Sequence, residues 1–260
     1  MHEPIGLFDS GVGGTSIWKE IHQLMPNENT IYLADSKNAP YGEKEKKEIL
    51  QLCIKNTEFL INKGCKIIVV ACNTATTNAI NYLRKNYEVP FIGIEPAIKP
   101  AALHTKTKKV GVLATKGTLS SNLFYNTSKL YTSGIKVYEK EGTGLVEFIE
   151  SGMHNSYEVK KLLFQFLNPM LVEGIDCLVL GCTHYPYLIS VLKKILPPHI
   201  NIIDSGFAVA KQTKAILEKK SLLNLKQISP PKILFYSNTK TDVLKNLVNS
   251  KIAEVSYIDF

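Results

Sequence analysis

Short apolar runs rich in Ile, Val and Leu recur along the chain, and most give way to small polar residues and then an amphipathic stretch. That alternation is the strongest constraint in the sequence. Strands buried on both faces read as continuous apolar runs, and parallel strands need a crossover of helical length between them. The runs are residues 5–8, 30–34, 67–71, 90–94, 110–113, 177–181 and 232–236. Helix patterns cover residues 15–24 and 45–63, the latter closed by Gly64, and another starts near Thr74. The expectation is an α/β fold with mostly parallel sheets.

The pattern then starts again. Residues 5–16 match 110–121 in kind, and Ile68-Val69-Val70-Ala71-Cys72-Asn73-Thr74 matches Leu178-Val179-Leu180-Gly181-Cys182-Thr183-His184. This is a weak internal repeat of a whole α/β half, with 63 residues from Asp9 to Cys72 and 67 from Thr115 to Cys182. It predicts two similar domains related by a pseudo-two-fold, one built from residues 1–95 and 208–260, the other from 96–207. The strand at 232–236 returns to complete the first domain. Residues 221–231 read as a loop or short linker with no assigned role.

In open α/β sheets, ligands sit beyond the carboxyl ends of the strands. Those positions hold Asp9-Ser10, Asp35-Ser36, Cys72-Asn73-Thr74, Thr115, Thr118 and Cys182-Thr183-His184. The Gly-rich turn Asp9-Ser10-Gly11-Val12-Gly13-Gly14-Thr15 suits a small carboxylate, a nucleotide or a merely tight turn. A dinucleotide site is weakened because Ser16 stands where the third glycine belongs. Asp35 is placed where a ribose-binding acid would stand. Cys72 ends a buried strand just before a helix start, whose positive end is expected to lower a thiol pKa, while Asp9 beside it would raise it. Cys182 has the matching place, with His184 as capping residue or catalyst. Cys53, Cys65 and Cys177 read as packing. Zinc on Cys72, Cys182 and His184 lacks the usual close ligand pairs. A Cys nucleophile with a His base would leave the second matched Cys without a role.

Composition narrows the function classes. The chain has 260 residues, 45% of them hydrophobic and 21% charged, which excludes a disordered or fibrous chain. No apolar run approaches the roughly 20 residues that span a bilayer. The opening Met1-His2-Glu3-Pro4 lacks the regions of a signal peptide, so a cytoplasmic protein without membrane association is expected. Five cysteines form no disulfide framework. The net charge of +8 invites nucleic acid, yet every basic residue but Arg84 is Lys, and they are scattered. No nucleic-acid partner is expected.

Four strings in order carry a resemblance: Phe8-Asp9-Ser10-Gly11-Val12-Gly13-Gly14, Ala39-Pro40-Tyr41-Gly42, Ala71-Cys72-Asn73-Thr74-Ala75-Thr76 and Gly181-Cys182-Thr183-His184-Tyr185-Pro186. The chain resembles the glutamate racemase family, within the wider superfamily of cofactor-independent amino-acid racemases, over nearly its whole length. The resemblance implies that Cys72 and Cys182 are the two catalytic bases, assisted by Asp9 and His184. It implies substrate contacts from Asp9, Ser10, Pro40, Tyr41, Gly42, Asn73, Thr74, Thr115, Thr118, Thr183 and His184. It further implies no cofactor, no metal, a homodimer, and a role supplying D-glutamate for peptidoglycan. Glu141-Gly142-Thr143-Gly144 replaces an Ala-Cys-Pro string found in many members, while Glu150 aligns with the family's later Glu. A racemase of another acidic amino acid such as aspartate, and a two-lobed amino-acid-binding protein without catalysis, remain the alternatives.

Two bases on opposite sides of a cleft are what racemisation asks for. A single base that removed and returned the α-proton would tend to restore the same enantiomer. A repeated half supplies one thiol from each side.

Overall fold

The structure, a computed structural model, describes residues 3–225 and 230–260. Met1-His2 of the opening segment and 226–229 of the 221–231 stretch lie outside the described residues. In chain order the first elements are β1 (Ile5–Asp9), α1 (Thr15–Leu24), β2 (Thr30–Ala34), α2 (Lys46–Asn62), β3 (Ile67–Val70), α3 (Asn73–Asn86) and β4 (Phe91–Gly93). Then come α4 (Ile98–His104), β5 (Lys109–Ala114), α5 (Lys116–Leu119), α6 (Asn122–Tyr131), β6 (Lys136–Glu141) and α7 (Leu145–Glu150). They are followed by α8 (Tyr157–Val172), β7 (Cys177–Gly181), α9 (Ile189–Ile195) and β8 (Asn201–Ile203). The chain closes with α10 (Gly206–Lys219), β9 (Ile233–Ser237), α11 (Asp242–Val248) and β10 (Ala253–Tyr257).

Two sheets form, and every strand pair among the described residues is parallel. One has the order β10-β9-β2-β1-β3-β4, the other β6-β5-β7-β8. The run β2-β1-β3-β4 in the first repeats as β6-β5-β7-β8 in the second, with the same order along the chain. The weak sequence repeat is thus a repeat of topology. The strand at 232–236 does return to the first sheet, beside β2. The chain passes between the sheets after β4 and again before α10, and the Ser205 hydroxyl donates to the Glu95 carbonyl where the two passages meet. α10 packs on α1 and β4 of the first sheet.

The central strands are apolar because both faces are covered. Ile5, Leu7 and Phe8 of β1 have no exposed surface, which contributes about 1.5–3 kcal/mol for each side chain. One core runs through both halves, from Ile5, Leu7 and Trp18 to Leu178 and Tyr185. Separate cores back the outer faces, one around Phe8, Cys53 and Val70, the other around Val112, Cys177 and Val179. Cys53, Cys65 and Cys177 are buried free thiols. β6 and β10 are sheet edges with half-exposed or exposed side chains, which is why no apolar run announces them.

Register places the site. Phe8 pairs with Val70, so β1 and β3 end side by side, and Ala114 pairs with Gly181, so β5 and β7 do the same. Cys72 and Cys182 are therefore equivalent positions of the two sheets, Cys72 two residues past β3 and Cys182 directly after β7.

Candidate active site

In the first half, Asp9 is fully buried at the end of β1. Its Oδ2 accepts the Gly14 backbone N–H at 2.6 Å, and its Oδ1 accepts the Ser10 hydroxyl at 3.3 Å. Burial raises its pKa, while His184 and the Gly14 N–H pull against that rise. Cys72 caps α3: its Sγ accepts the Ala75 N–H at 3.4 Å and lies 3.7 Å from Ser10 Oγ. Burial pushes this thiol's pKa well up. Both effects expected from sequence are also present, Asp9 raising it and the Ala75 N–H at the helix start lowering it, and burial outweighs both. One or two hydrogen bonds do not replace the water a thiolate loses, and a neighbouring carboxylate opposes a second negative charge.

In the second half, Cys182 follows β7 and its Sγ lies 3.8 Å from His184 Nδ1. The other ring nitrogen, Nε2, is 2.6 Å from Glu150 Oε1 at the end of α7. Burial would lower the His184 pKa, but Cys182, Glu150 and Asp9 together carry it well above the ordinary value. Protonated, the imidazolium donates from both nitrogens, one toward a carboxylate and one toward a sulfur. Glu150 was not among the site residues expected from sequence. It is held from the first half, accepting the Val12 N–H at 2.6 Å on Oε1 and the Ser36 hydroxyl at 2.8 Å on Oε2.

That contact explains the Gly-rich turn. A Cβ at Gly11 would stand 1.9 Å from Glu150 Oε1, and one at Gly13 would stand 2.2 Å from His184 Nδ1. The glycines make room for the other half of the protein. The turn does bind carboxylates through its N–H groups, but those of Val12 and Gly14 are taken by the chain's own Glu150 and Asp9.

The two halves meet at one narrow cleft, lined by Ser10, Pro40, Tyr41, Gly42, Cys72, Asn73, Thr74, Thr115, Val146, Cys182, Thr183 and His184. Asp9 and Thr118 are fully buried behind that lining. Thr118 reaches the cleft through a row of hydroxyls, 3.0 Å from Thr115, which is 2.9 Å from Thr74. Thr183 donates to Asp9 at 3.4 Å across the divide. Both polar atoms of the Asn73 amide are buried beside the cleft without a partner in the protein. Tyr41 lines the cleft, but its hydroxyl donates to Asp35 and accepts from Asn56 at 3.2 Å. Asp35 also receives Asn38 and Asn238, so it is a buried anchor for the Pro40-Tyr41-Gly42 loop, with both oxygens engaged within the protein. Among the described residues no group of three or more His, Cys, Asp or Glu side chains is arranged to hold a metal ion. Arg84 lies away from the cleft, on the edge strand carbonyl of Phe91.

Known proteins share this architecture. Residues 6–213 match the model of the Asp/Glu/hydantoin racemase family. Glutamate racemase of Ectopseudomonas mendocina is 46% identical over 221 residues, 85% of this chain and 84% of that protein. The crystal structure of glutamate racemase isoform RacE1 from Bacillus anthracis superposes with a TM-score of 0.86 at 32% identity, covering 99% of this chain and 98% of that one. Escherichia coli glutamate racemase, solved in complex with L-glutamate and the activator UDP-MurNAc-Ala, gives a TM-score of 0.87 at 31% identity, covering 98% and 97%. Matched over most of its length in sequence and nearly all of it in fold, the chain belongs to the Asp/Glu/hydantoin racemase family.

Proposed function

We infer that this chain is an isomerase that interconverts L-glutamate and D-glutamate by a two-base mechanism, with Cys72 and Cys182 on opposite faces of the α-carbon. One observation carries the reading: two thiols at equivalent strand ends of a repeated topology line a single cleft, each with its own ionisable partner. In one direction the Cys72 thiolate takes the α-proton, so the C–H bond breaks and an S–H bond forms. The Cys182 thiol delivers its proton to the opposite face. The reverse reaction exchanges the two roles. Asp9 and His184 reset the two sulfurs between turnovers as proton acceptor and donor.

Cys72 rests as a thiol because burial and Asp9 disfavour its anion. A substrate ammonium brought into the cleft lowers that cost, so the base forms when substrate is present. Ser10, Thr74, Thr183 and the unpartnered Asn73 amide supply hydrogen bonds to the substrate carboxylates. Those on the α-carboxylate stabilise the negative charge that builds there. Thr115 and Thr118 extend the hydroxyl row, and Pro40, Tyr41 and Gly42 close the far wall. The scheme uses no cofactor. The product D-glutamate serves peptidoglycan synthesis. We also infer a cytoplasmic homodimer from the family resemblance, checked by sedimentation. Among the described residues no helix is long and apolar enough to cross a membrane.

The test is each glutamate enantiomer in deuterium oxide, with no cofactor added. Optical rotation should decay from both sides and the product should gain α-deuterium. Binding without exchange would make the protein an amino-acid-binding module, and faster turnover of aspartate would move the substrate assignment.

A further inference from the structure

Tyr187 lies in the turn that follows His184, and it does not line the cleft. Its hydroxyl meets Thr15 Oγ1, at the first residue of α1 in the other half. Thr15 in turn donates to the Val12 carbonyl at 2.6 Å. Since that hydroxyl hydrogen is spent on Val12, Tyr187 is the donor and Thr15 the acceptor. The N–H of the same Val12 holds Glu150, and Glu150 holds His184 beside Cys182. A closed circuit results: His184 and Tyr187 are three residues apart in one turn, and both ends of that turn are tied to residues 12–15. Ser16 adds a third tie, donating to the Thr183 carbonyl at 2.8 Å.

We propose that Tyr187 is a positioning residue that, through Thr15 and Val12, fixes the Gly-rich turn so that Glu150 holds His184 in line with Cys182. The proposal rests on the two-cysteine reading above. Tyr187 acts mainly on the Cys182 side, because its tie runs through Val12 and Glu150 to His184, while Asp9 and Ser10, at the far end of the same turn, continue directly from β1. Its ring is anchored independently of the hydroxyl. Lys19 Nζ sits 5.2 Å from the ring centroid, and the His154 ring packs at 6.3 Å. Removing the hydroxyl alone therefore leaves the packing in place.

The experiment is Tyr187→Phe, with Thr15→Val and Thr15→Ser beside it, assayed on both glutamate enantiomers carrying α-hydrogen or α-deuterium. Tyr187→Phe is expected to lower kcat about tenfold with KM nearly unchanged, the cost of a small misplacement of a catalytic group. Thr15→Ser keeps the circuit and keeps the activity. Thr15→Val loses at least as much as Tyr187→Phe, and the double variant Thr15→Val with Tyr187→Phe loses no more than Thr15→Val alone. The primary isotope effect should rise for the one enantiomer whose proton Cys182 removes. A merely structural bond would leave the two isotope effects unchanged or move them together, and that result overturns the proposal. Cys182→Ala separates the two readings. If that variant stays active, the two-cysteine scheme fails. If it is inactive while Tyr187→Phe is indistinguishable from the parent, only the positioning role fails.

Discussion

Cys72 and Cys182 occupy the same place in the repeated topology, yet they keep opposite electrostatic company. Cys72 starts a helix of 14 residues and has a carboxylate, Asp9, as its ionisable neighbour. Cys182 starts only a short turn and has an imidazole, His184, backed by Glu150. An anion beside the first thiol favours its protonated form. A symmetric fold has thus been given asymmetric surroundings, with one sulfur beside a buried carboxylate and the other beside an imidazole. That suits a reaction in which one sulfur must be loaded whenever the other is empty.

The largest expected effect breaks both sides equally. Cys72→Ser and Cys182→Ser should each lower racemisation by about 10³-fold or more, because general acid–base groups are worth up to roughly 10⁴-fold and each thiol is needed in both directions. Each variant should keep exchanging the α-hydrogen of one enantiomer with solvent, and the two should choose opposite enantiomers. Proton NMR in deuterium oxide reads this directly. If both variants exchange the same enantiomer, the thiols do not face opposite sides.

A smaller effect sharpens the contrast between the neighbours. Glu150→Gln keeps the acceptors for the Val12 N–H and for His184 but removes the charge, so the His184 pKa should fall toward its ordinary value. We expect about a tenfold loss in kcat, with the limb of the pH–rate profile that reports His184 moving to lower pH. Asp9→Asn removes the charge that opposes the Cys72 thiolate. Cys72 should then alkylate faster with iodoacetamide at pH 8 even though racemisation declines. Opposite changes in reactivity and turnover are the signature of the carboxylate side. A parallel fall in both would mean that Asp9 mainly holds Cys72 in place.

The same contrast shows what the sequence could disclose. The central strands, the return of β9 and the two matched cysteines were readable because buried parallel strands need continuous apolar runs and sites collect at their carboxyl ends. β6, β8 and β10 were not. β6 reads Lys-Val-Tyr-Glu-Lys-Glu with an exposed outer edge, and β8 has only 3 residues. Glu150 aligned with a family Glu, but its partner was not legible, since its role depends on α7 being carried across to the Gly-rich turn. A second signal lay in Gly11 and Gly13, whose turn suits a bound carboxylate, a nucleotide or simply a tight bend when read from sequence alone. The anion they admit is the protein's own. The rise of the Cys72 pKa was hidden for a related reason: a helix start can be read from sequence, but the depth at which it is buried depends on the other half.

The smallest expected effect on turnover concerns thiols outside the cleft, and it separates burial from function. Cys53 has no exposed surface and Cys65 is 7% exposed. Burial, and for Cys53 also Asp35, raises both thiols, Cys65 to about 12. In the unfolded chain they titrate near 8.5. A group whose folded pKa is raised adds stability that is complete below the unfolded value and lost as pH climbs toward the folded one. Stability should therefore decline above about pH 8.5, by roughly 1.4 kcal/mol per pH unit for each thiol that stays protonated in the native state. Cys53→Ala should cost about 1 kcal/mol at pH 7 through lost packing and leave kcat within about twofold. Urea unfolding at pH 8, 9 and 10 should show its alkaline slope shallower than the parent's by one proton's worth. An unchanged slope would mean that Cys53 ionises as readily folded as unfolded, and that burial alone does not set the thiols of this protein. The rise at Cys72 would then have to be traced to Asp9, which the Asp9→Asn alkylation rate measures separately.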